Sequence, residues 1–151
     1  MSKFIPIITG KETTTHRSGC ESRFSNFESF IKDMSAAQPA LYHGAKPSAI
    51  HQHVRSDLNR HVIPTSSGIR PAAPHFFMEL KGKDGLIAES EVQVIQDGEP
   101  GAVAIDRLQN YCTVALTYDN IGYTLTTTYE AANGTLSIFA VQASLYTIRL
   151  S

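Results

Sequence analysis

Apolar residues change their spacing along the chain, from a helical period in the first half to a strand period towards the C-terminus. Apolar side chains recur every three or four residues over about 25–35 and 47–61, which predicts two amphipathic helices. Nearer the end they alternate with polar side chains, and this period of two predicts three antiparallel strands at about 114–118, 123–129 and 136–140. Such a layout is typical of a mixed α/β or α+β domain.

Local signals indicate where these elements begin and end. The capping-box pattern of residues 25–28, Ser-Asn-Phe-Glu, opens the first helix, and Pro47 stands at the start of the second. The prolines, glycine and serines of residues 64–74 predict an extended connection rather than a regular element. Asn133-Gly134 predicts a two-residue hairpin turn between the last two strands.

A third helical segment follows the centre of the chain. Residues 86–96 contain good helix formers after a Lys-Asp-Gly turn, so a helix is predicted there. Gly98, Pro100 and Gly101 then predict a break or a kink in that helix. Residues 102–110 are predicted to be helical again.

The predicted central strand carries the most informative chemistry. Residues 74–82, Pro-His-Phe-Phe-Met-Glu-Leu-Lys-Gly, form a short apolar run that ends at a glycine. Because side chains alternate along a strand, Glu79 and Lys81 project from the same face. This pair suits a site in which the carboxylate holds a hard cation such as Mg²⁺ and the lysine meets negative charge on a phosphate. The alternative is an ion pair on a solvated strand face, which contributes little to stability.

Length and composition indicate one globular domain. The chain has 151 residues, of which 42% are hydrophobic and 18% are charged, and a chain of this size can enclose a single core. Residues 9–23 are rich in Thr, Ser, Lys, Arg and Glu and lack an apolar period. Residues 1–23 are therefore predicted to be a polar N-terminal arm, and residues 24–151 a single domain.

Charge, cysteine content and hydropathy narrow the choice of partners and compartment. Thirteen basic and 14 acidic residues give a formal net charge of −1, so a nucleic-acid partner would need a local basic patch. Cys20 and Cys112 lie too far apart in sequence to indicate a zinc motif or a disulfide scaffold. Without an apolar signal sequence or a segment of membrane-spanning length, the chain is predicted to be intracellular, in the cytoplasm or nucleus, with no membrane association.

The order of the segments and two local motifs resemble a known family. Residues 74–85, Pro-His-Phe-Phe-Met-Glu-Leu-Lys-Gly-Lys-Asp-Gly, and residues 118–126, Tyr-Asp-Asn-Ile-Gly-Tyr-Thr-Leu-Thr, resemble the nuclease-like domains of the PD-(D/E)XK superfamily that occur in many fungal proteins. The resemblance extends over about residues 24–140. It implies a mixed α/β fold in which a small mixed sheet is flanked by helices.

The resemblance also assigns roles to individual residues. Glu79 would be a metal ligand, with Mg²⁺ as the cofactor of an active member. Lys81 would be the catalytic lysine that assists attack on a phosphodiester. Gln93 or Glu91, on the helix after the strand, would complete the site.

One carboxylate of the family motif is missing from this chain. Where the fungal domains resemble Ala-Lys-Pro-Asp-x-Tyr-Asp-Gly, residues 37–44 read Ala-Gln-Pro-Ala-Leu-Tyr-His-Gly, with Ala40 and His43 at the acidic positions. Alanine has no ligand atom, and histidine binds Mg²⁺ poorly because hard cations prefer oxygen. We therefore expect a nuclease-like domain that has lost catalysis and acts as a binding or interaction module for nucleic acid or protein.

This expectation has two alternatives. The first is an active Mg²⁺-dependent nuclease with a replacement carboxylate, for which Glu28 and Asp57 are candidates. The second is an unrelated α+β interaction or effector protein. An active site requires a second carboxylate within about 4–6 Å of Glu79, able to share a cation. A zinc site on His53, Asp57 and His61 is disfavoured, because two helical turns separate the histidines by about 12 Å.

Overall fold

The computed structural model describes residues 13–28, 35–81, 87–115 and 119–143, with the backbone alone described for 87–91. Within these residues the strands are β1 (His16–Cys20), β2 (Leu41–Ala45), β3 (Ala72–Lys81), β4 (Thr124–Glu130) and β5 (Thr135–Val141). The α-helices are α1 (Gln52–Asp57), α2 (Asn59–Val62) and α3 (Ile87–Gln109), and a 3₁₀ turn spans Pro47–Ala49.

The strands form one mixed sheet in the order β1-β2-β3-β4-β5. Strands β3 and β4 are parallel, and the other neighbouring pairs are antiparallel. A parallel pair needs a crossover connection, and α3 supplies it between β3 and β4. The mixed α/β class predicted from the sequence is confirmed.

Two glycines bring α3 unusually close to the sheet. A Cβ atom at Gly98 would lie 2.7 Å from a methyl group of Val141 and 2.9 Å from that of Thr126. At Gly101 it would lie 2.6 Å from the Phe77 ring. The glycines therefore serve close packing. Of the predicted break or kink at residues 98–101, the break does not occur, because α3 runs unbroken through Pro100. Tertiary packing here outweighs the low helix propensity of these residues.

Aromatic residues fill one part of the core. The Phe24 ring contacts the Tyr42 ring edge to face, with centroids 4.9 Å apart, and lies 6.1 Å from the Phe77 ring. All three side chains are buried. This cluster anchors the segment before β2 and the centre of β3 against each other, which positions the strand that carries Glu79.

The N-terminal predictions need correction where the structure describes them. Residues 16–20, predicted to belong to a polar arm, form β1 and pair with β2. Residues 25–28 of the first predicted helix form a turn, and residues 29–34 lie outside the described residues. The second predicted helix is divided into the 3₁₀ turn, α1 and α2, with a non-helical residue, Leu58, between the two α-helices.

The C-terminal predictions are right for two strands out of three. Strands β4 and β5 form the predicted antiparallel hairpin, whereas residues 113–115 are not strand and 116–118 lie outside the described residues. The turn at Asn133-Gly134 contains four residues, 131–134, rather than two. Gly134 adopts a positive φ of 71° there, which glycine accommodates without strain.

Candidate functional site

Strand β3 and helix α3 place their polar side chains opposite each other. Two strand residues cover about 6.6 Å, and four helix residues cover about 6 Å, so positions i and i+2 of a strand match positions i and i+4 of a helix packed on it. Glu79 and Lys81 on β3 accordingly interact with Asp97 and Gln93 on α3. The structure thus brings together Glu79, Lys81 and Gln93, which were named from the sequence, and adds Asp97. We refer to these four residues as the Glu79 site.

Lys81 and Gln93 are in direct contact. The Nζ atom of Lys81 donates a hydrogen bond to Oε1 of Gln93 at 3.1 Å, and both side chains are partly buried. This hydrogen bond restricts the lysine rotamer and holds the ammonium beside Gln93, one helical turn before Asp97 on α3. The side chain of Glu91, the other helix residue considered, lies outside the described residues.

Glu79 is held by the chain segment that leads into β2. Its Oε1 atom accepts a hydrogen bond from the main-chain N–H of Ala40 at 3.0 Å, and only 7% of the residue is exposed. Ala40 thus provides a main-chain donor to Glu79 and no ligand atom of its own side chain. His43 lies on β2, where its ring contacts the Phe76 ring edge to face.

Asp97 is the most deeply buried carboxyl group of the site. It is 1% exposed, and neither of its oxygens makes a hydrogen bond of good geometry within the described part of the chain. Burial raises the pKa of Asp97 to about 9, and the neighbouring Glu79 carboxyl adds to the rise, as a hydrogen-bond partner of the protonated form and by charge repulsion. The Gln38 N–H and Lys81 act in the opposite direction more weakly. At neutral pH Asp97 therefore holds a proton.

Asp97 is not among the residues predicted from the sequence, although a signal for it exists. Asp97 follows Gln93 by four residues and so lies on the same helix face. Because the helix was predicted to end near residue 96, Asp97 was not assigned to it. Only the packing of α3 on the sheet shows that the helix continues.

The replacement carboxylates considered from the sequence are engaged with other groups. Oε2 of Glu28 lies 3.7 Å from Nε2 of His61, and Oδ2 of Asp57 accepts a hydrogen bond from the Tyr111 hydroxyl at 2.5 Å. Both candidates therefore contact groups outside the Glu79 site, and the carboxyl group beside Glu79 is that of Asp97.

The donor set fits a hard divalent cation with part of its coordination left to other oxygens. Among the described residues there is no group of three or more His, Cys, Asp or Glu side chains arranged to hold a metal ion. Mg²⁺ commonly binds through one or two carboxylates and takes its other ligands from water and substrate phosphates. Glu79 and Asp97 supply such a pair, and a buried carboxyl group without a well-formed hydrogen bond favours a nearby cation.

Stability should depend on pH through Asp97. Because the pKa of Asp97 is higher in the folded state, between about pH 4 and pH 9 the folded chain holds a proton that the unfolded chain has already released. The contribution of Asp97 to the free energy of unfolding is therefore largest at low pH. It decreases as the pH rises through this window, with a limiting slope of about 1.4 kcal/mol per pH unit. Urea unfolding at pH 5, 6, 7 and 8 with EDTA should show a shallower slope for Asp97→Asn than for wild type. Glu21→Gln, which removes an exposed carboxyl group just after β1, is the control, and equal slopes in all three proteins would contradict this assignment.

A scan against protein-family models and searches of curated proteins and solved structures found no match to this chain. Within the described residues, no helix is both long enough and apolar enough to cross a membrane. The functional proposal therefore rests on the geometry of the Glu79 site.

Proposed function

We propose that the chain is a PD-(D/E)XK-like, divalent-metal-dependent nuclease in which Asp97 of α3 replaces the missing carboxylate. The observation that carries the proposal is the buried carboxyl group of Asp97, without a well-formed hydrogen bond, directly beside Glu79. Glu79 and Asp97 would hold Mg²⁺, and Lys81 and Gln93 complete the site as the resemblance implies. This arrangement favours the active alternative over the loss of catalysis expected from Ala40 and His43.

The reaction is hydrolysis of a phosphodiester. Water adds to phosphorus and loses a proton, the bond from phosphorus to the leaving sugar oxygen breaks, and that oxygen takes up a proton, so that protons balance overall. Bound Mg²⁺ supplies Lewis acidity at the phosphate and a water molecule of lowered pKa. Lys81, fixed by Gln93, places a positive charge where negative charge develops on the phosphate oxygens. To hold the cation, Asp97 would have to release its proton, since a metal ligand must be deprotonated.

A second candidate function rests on a different observation. The Ala40 N–H occupies one oxygen of Glu79, and Glu79 and Asp97 are 7% and 1% exposed. This enclosure supports a nuclease-like domain that binds nucleic acid or protein without cleaving it. Cation binding without hydrolysis would favour this candidate.

Calorimetric titration with Mn²⁺ tests the metal site. We expect wild type to bind Mn²⁺ and to release about one proton at pH 7, measured by comparing buffers of different ionisation enthalpy. Asp97→Asn and Glu79→Ala should each weaken binding by about tenfold or more. Glu99→Gln removes a carboxyl group from the same helix and should leave the affinity unchanged.

The outcomes separate the two candidates. Mn²⁺ binding followed by Mn²⁺-dependent cleavage of DNA or RNA supports the nuclease. Binding without cleavage of either nucleic acid, single-stranded or double-stranded, favours the binding module. Absence of Mn²⁺ binding by a folded wild-type protein would overturn the metal site and the nuclease with it.

A further inference from the structure

A polar cleft that is separate from the Glu79 site lies between α1 and the Pro-rich connection that follows α2. Its volume is about 330 Å³, and it is open to solvent. The cleft shares no residue with the Glu79 site. Its polar lining consists of Gln52, Arg55, Ser56, Asn59, Ser66 and Ser67, and we refer to it as the Arg55 cleft.

Arg55 gives the cleft its charge. Its guanidinium is the only ionisable side chain among the described residues that line the cleft. The Nε atom is buried and makes no hydrogen bond within the described part of the chain. The guanidinium also carries terminal N–H donors, and these can pair with an acceptor that enters the cleft, a negatively charged one most strongly.

The other polar groups of the cleft are suited to donate hydrogen bonds to the same ligand. Ser56, Ser66 and Ser67 each carry a hydroxyl group. Oδ1 of Asn59 already accepts a hydrogen bond from the Asn26 amide at 2.9 Å, which leaves the Asn59 amide nitrogen as a donor. No carboxylate is present among the described lining residues to compete for these donors or to repel an anion.

The surrounding sequence has the same sign of charge. Residues 46–70 contain four basic residues and one acidic residue, Asp57. Asp57 does not line the cleft and accepts a hydrogen bond from the Tyr111 hydroxyl. The near-neutral chain therefore has a locally basic segment around this cleft, which attracts anions despite the net charge of −1.

We propose that the Arg55 cleft binds a phosphate group, held by the Arg55 guanidinium and the serine hydroxyls. A guanidinium matches the tetrahedral oxyanion through paired N–H donors, and hydroxyl and amide donors complete its coordination. The cleft reaches the size range of small-molecule sites, so it has room for a phosphomonoester as well as for free phosphate. The proposal does not depend on the nuclease assignment, because the two sites share no residue.

Phosphate binding can be measured without any divalent cation. We would follow ¹⁵N-labelled full-length protein by NMR in EDTA while adding inorganic phosphate in one series and glycerol 3-phosphate in another, with sodium chloride as the ionic-strength control. The expected result is saturable shifts of the amides in α1 and residues 66–68. Tighter binding of glycerol 3-phosphate than of phosphate would identify a monoester ligand, and equal binding would identify free phosphate, and both outcomes support the site.

A matched pair of variants tests the role of Arg55. Arg55→Gln should weaken phosphate binding by about tenfold or more, whereas Arg60→Gln, which removes the same charge from an exposed residue outside the cleft, should change it by less than about twofold. Repeating the titration in Glu79→Ala separates this site from the nuclease site. Absence of saturable shifts, or an equal loss in the two arginine variants when both are folded by circular dichroism, would overturn the proposal.

Discussion

Replacement of Lys81 by methionine is expected to reduce Mn²⁺-dependent cleavage by about 10²–10³-fold while leaving Mn²⁺ affinity within about threefold of wild type. Methionine keeps a long, unbranched side chain, so the packing between β3 and α3 is retained. It removes the positive charge and the hydrogen bond from Nζ to Gln93. Initial cleavage rates and calorimetric Mn²⁺ titrations on the same preparations provide the two readouts.

Lys46→Met is the control for this experiment. Lys46 is partly buried near the start of the 3₁₀ turn, outside the site, and its replacement removes one positive charge from the chain. Cleavage by this variant should match that of wild type. A Lys81→Met protein that cleaves at the wild-type rate would exclude Lys81 from the mechanism, and loss of both cleavage and Mn²⁺ binding would indicate a structural role instead.

The difference between the two readouts follows from the geometry of the site. Glu79 and Asp97 carry the oxygens that a cation needs, whereas the Lys81 ammonium contacts Gln93. An ammonium cannot be a metal ligand, so its loss acts on the charged transition state rather than on cation binding. The positive charge also offsets part of the negative charge that the carboxyl pair acquires when both groups ionise.

Alternation along β3 was sufficient to predict half of the candidate site. The period of two places Glu79 and Lys81 on one face, and the helical segment that follows brings Gln93 to them. Asp97 could not be found in the same way, because three of the four residues just after it, Gly98, Pro100 and Gly101, have low helix propensity. The helix continues through them because the two glycines, which lack side chains, let α3 approach the sheet.

Strand β1 illustrates a second limit of sequence patterns. Its residues, His-Arg-Ser-Gly-Cys, contain no run of alternating apolar side chains, and β1 is an edge strand with only Gly19 fully buried. What places it in the sheet is backbone pairing with β2, which composition does not reveal. A Cβ atom at Gly19 would lie 2.5 Å from the Tyr42 ring, so close approach to a buried tyrosine explains this glycine.

Replacing Gly101 by valine should destabilise the fold by about 3 kcal/mol, because added volume in a close-packed interface forces neighbouring groups apart. The new Cβ atom would meet the Phe77 ring at 2.6 Å and the main-chain carbonyl of Pro74 at 2.8 Å. A ring can rotate, but the carbonyl belongs to β3 and cannot move without distorting the strand. The free energy of unfolding, measured by urea denaturation, should fall accordingly, and Gly68→Val is the control, since Gly68 is exposed with no atom within 4 Å of its added Cβ.

The same substitution connects the stability of the fold to the proposed metal site. If α3 moves away from β3 to relieve the clash at Gly101, Asp97, four residues earlier on the helix, moves away from Glu79 as well. Folded Gly101→Val protein at low temperature should therefore bind Mn²⁺ more weakly than wild type, whereas Gly68→Val should bind it equally well. Unchanged stability of Gly101→Val would show that α3 does not pack this closely on β3, and the pairing of Asp97 with Glu79 would lose its structural basis.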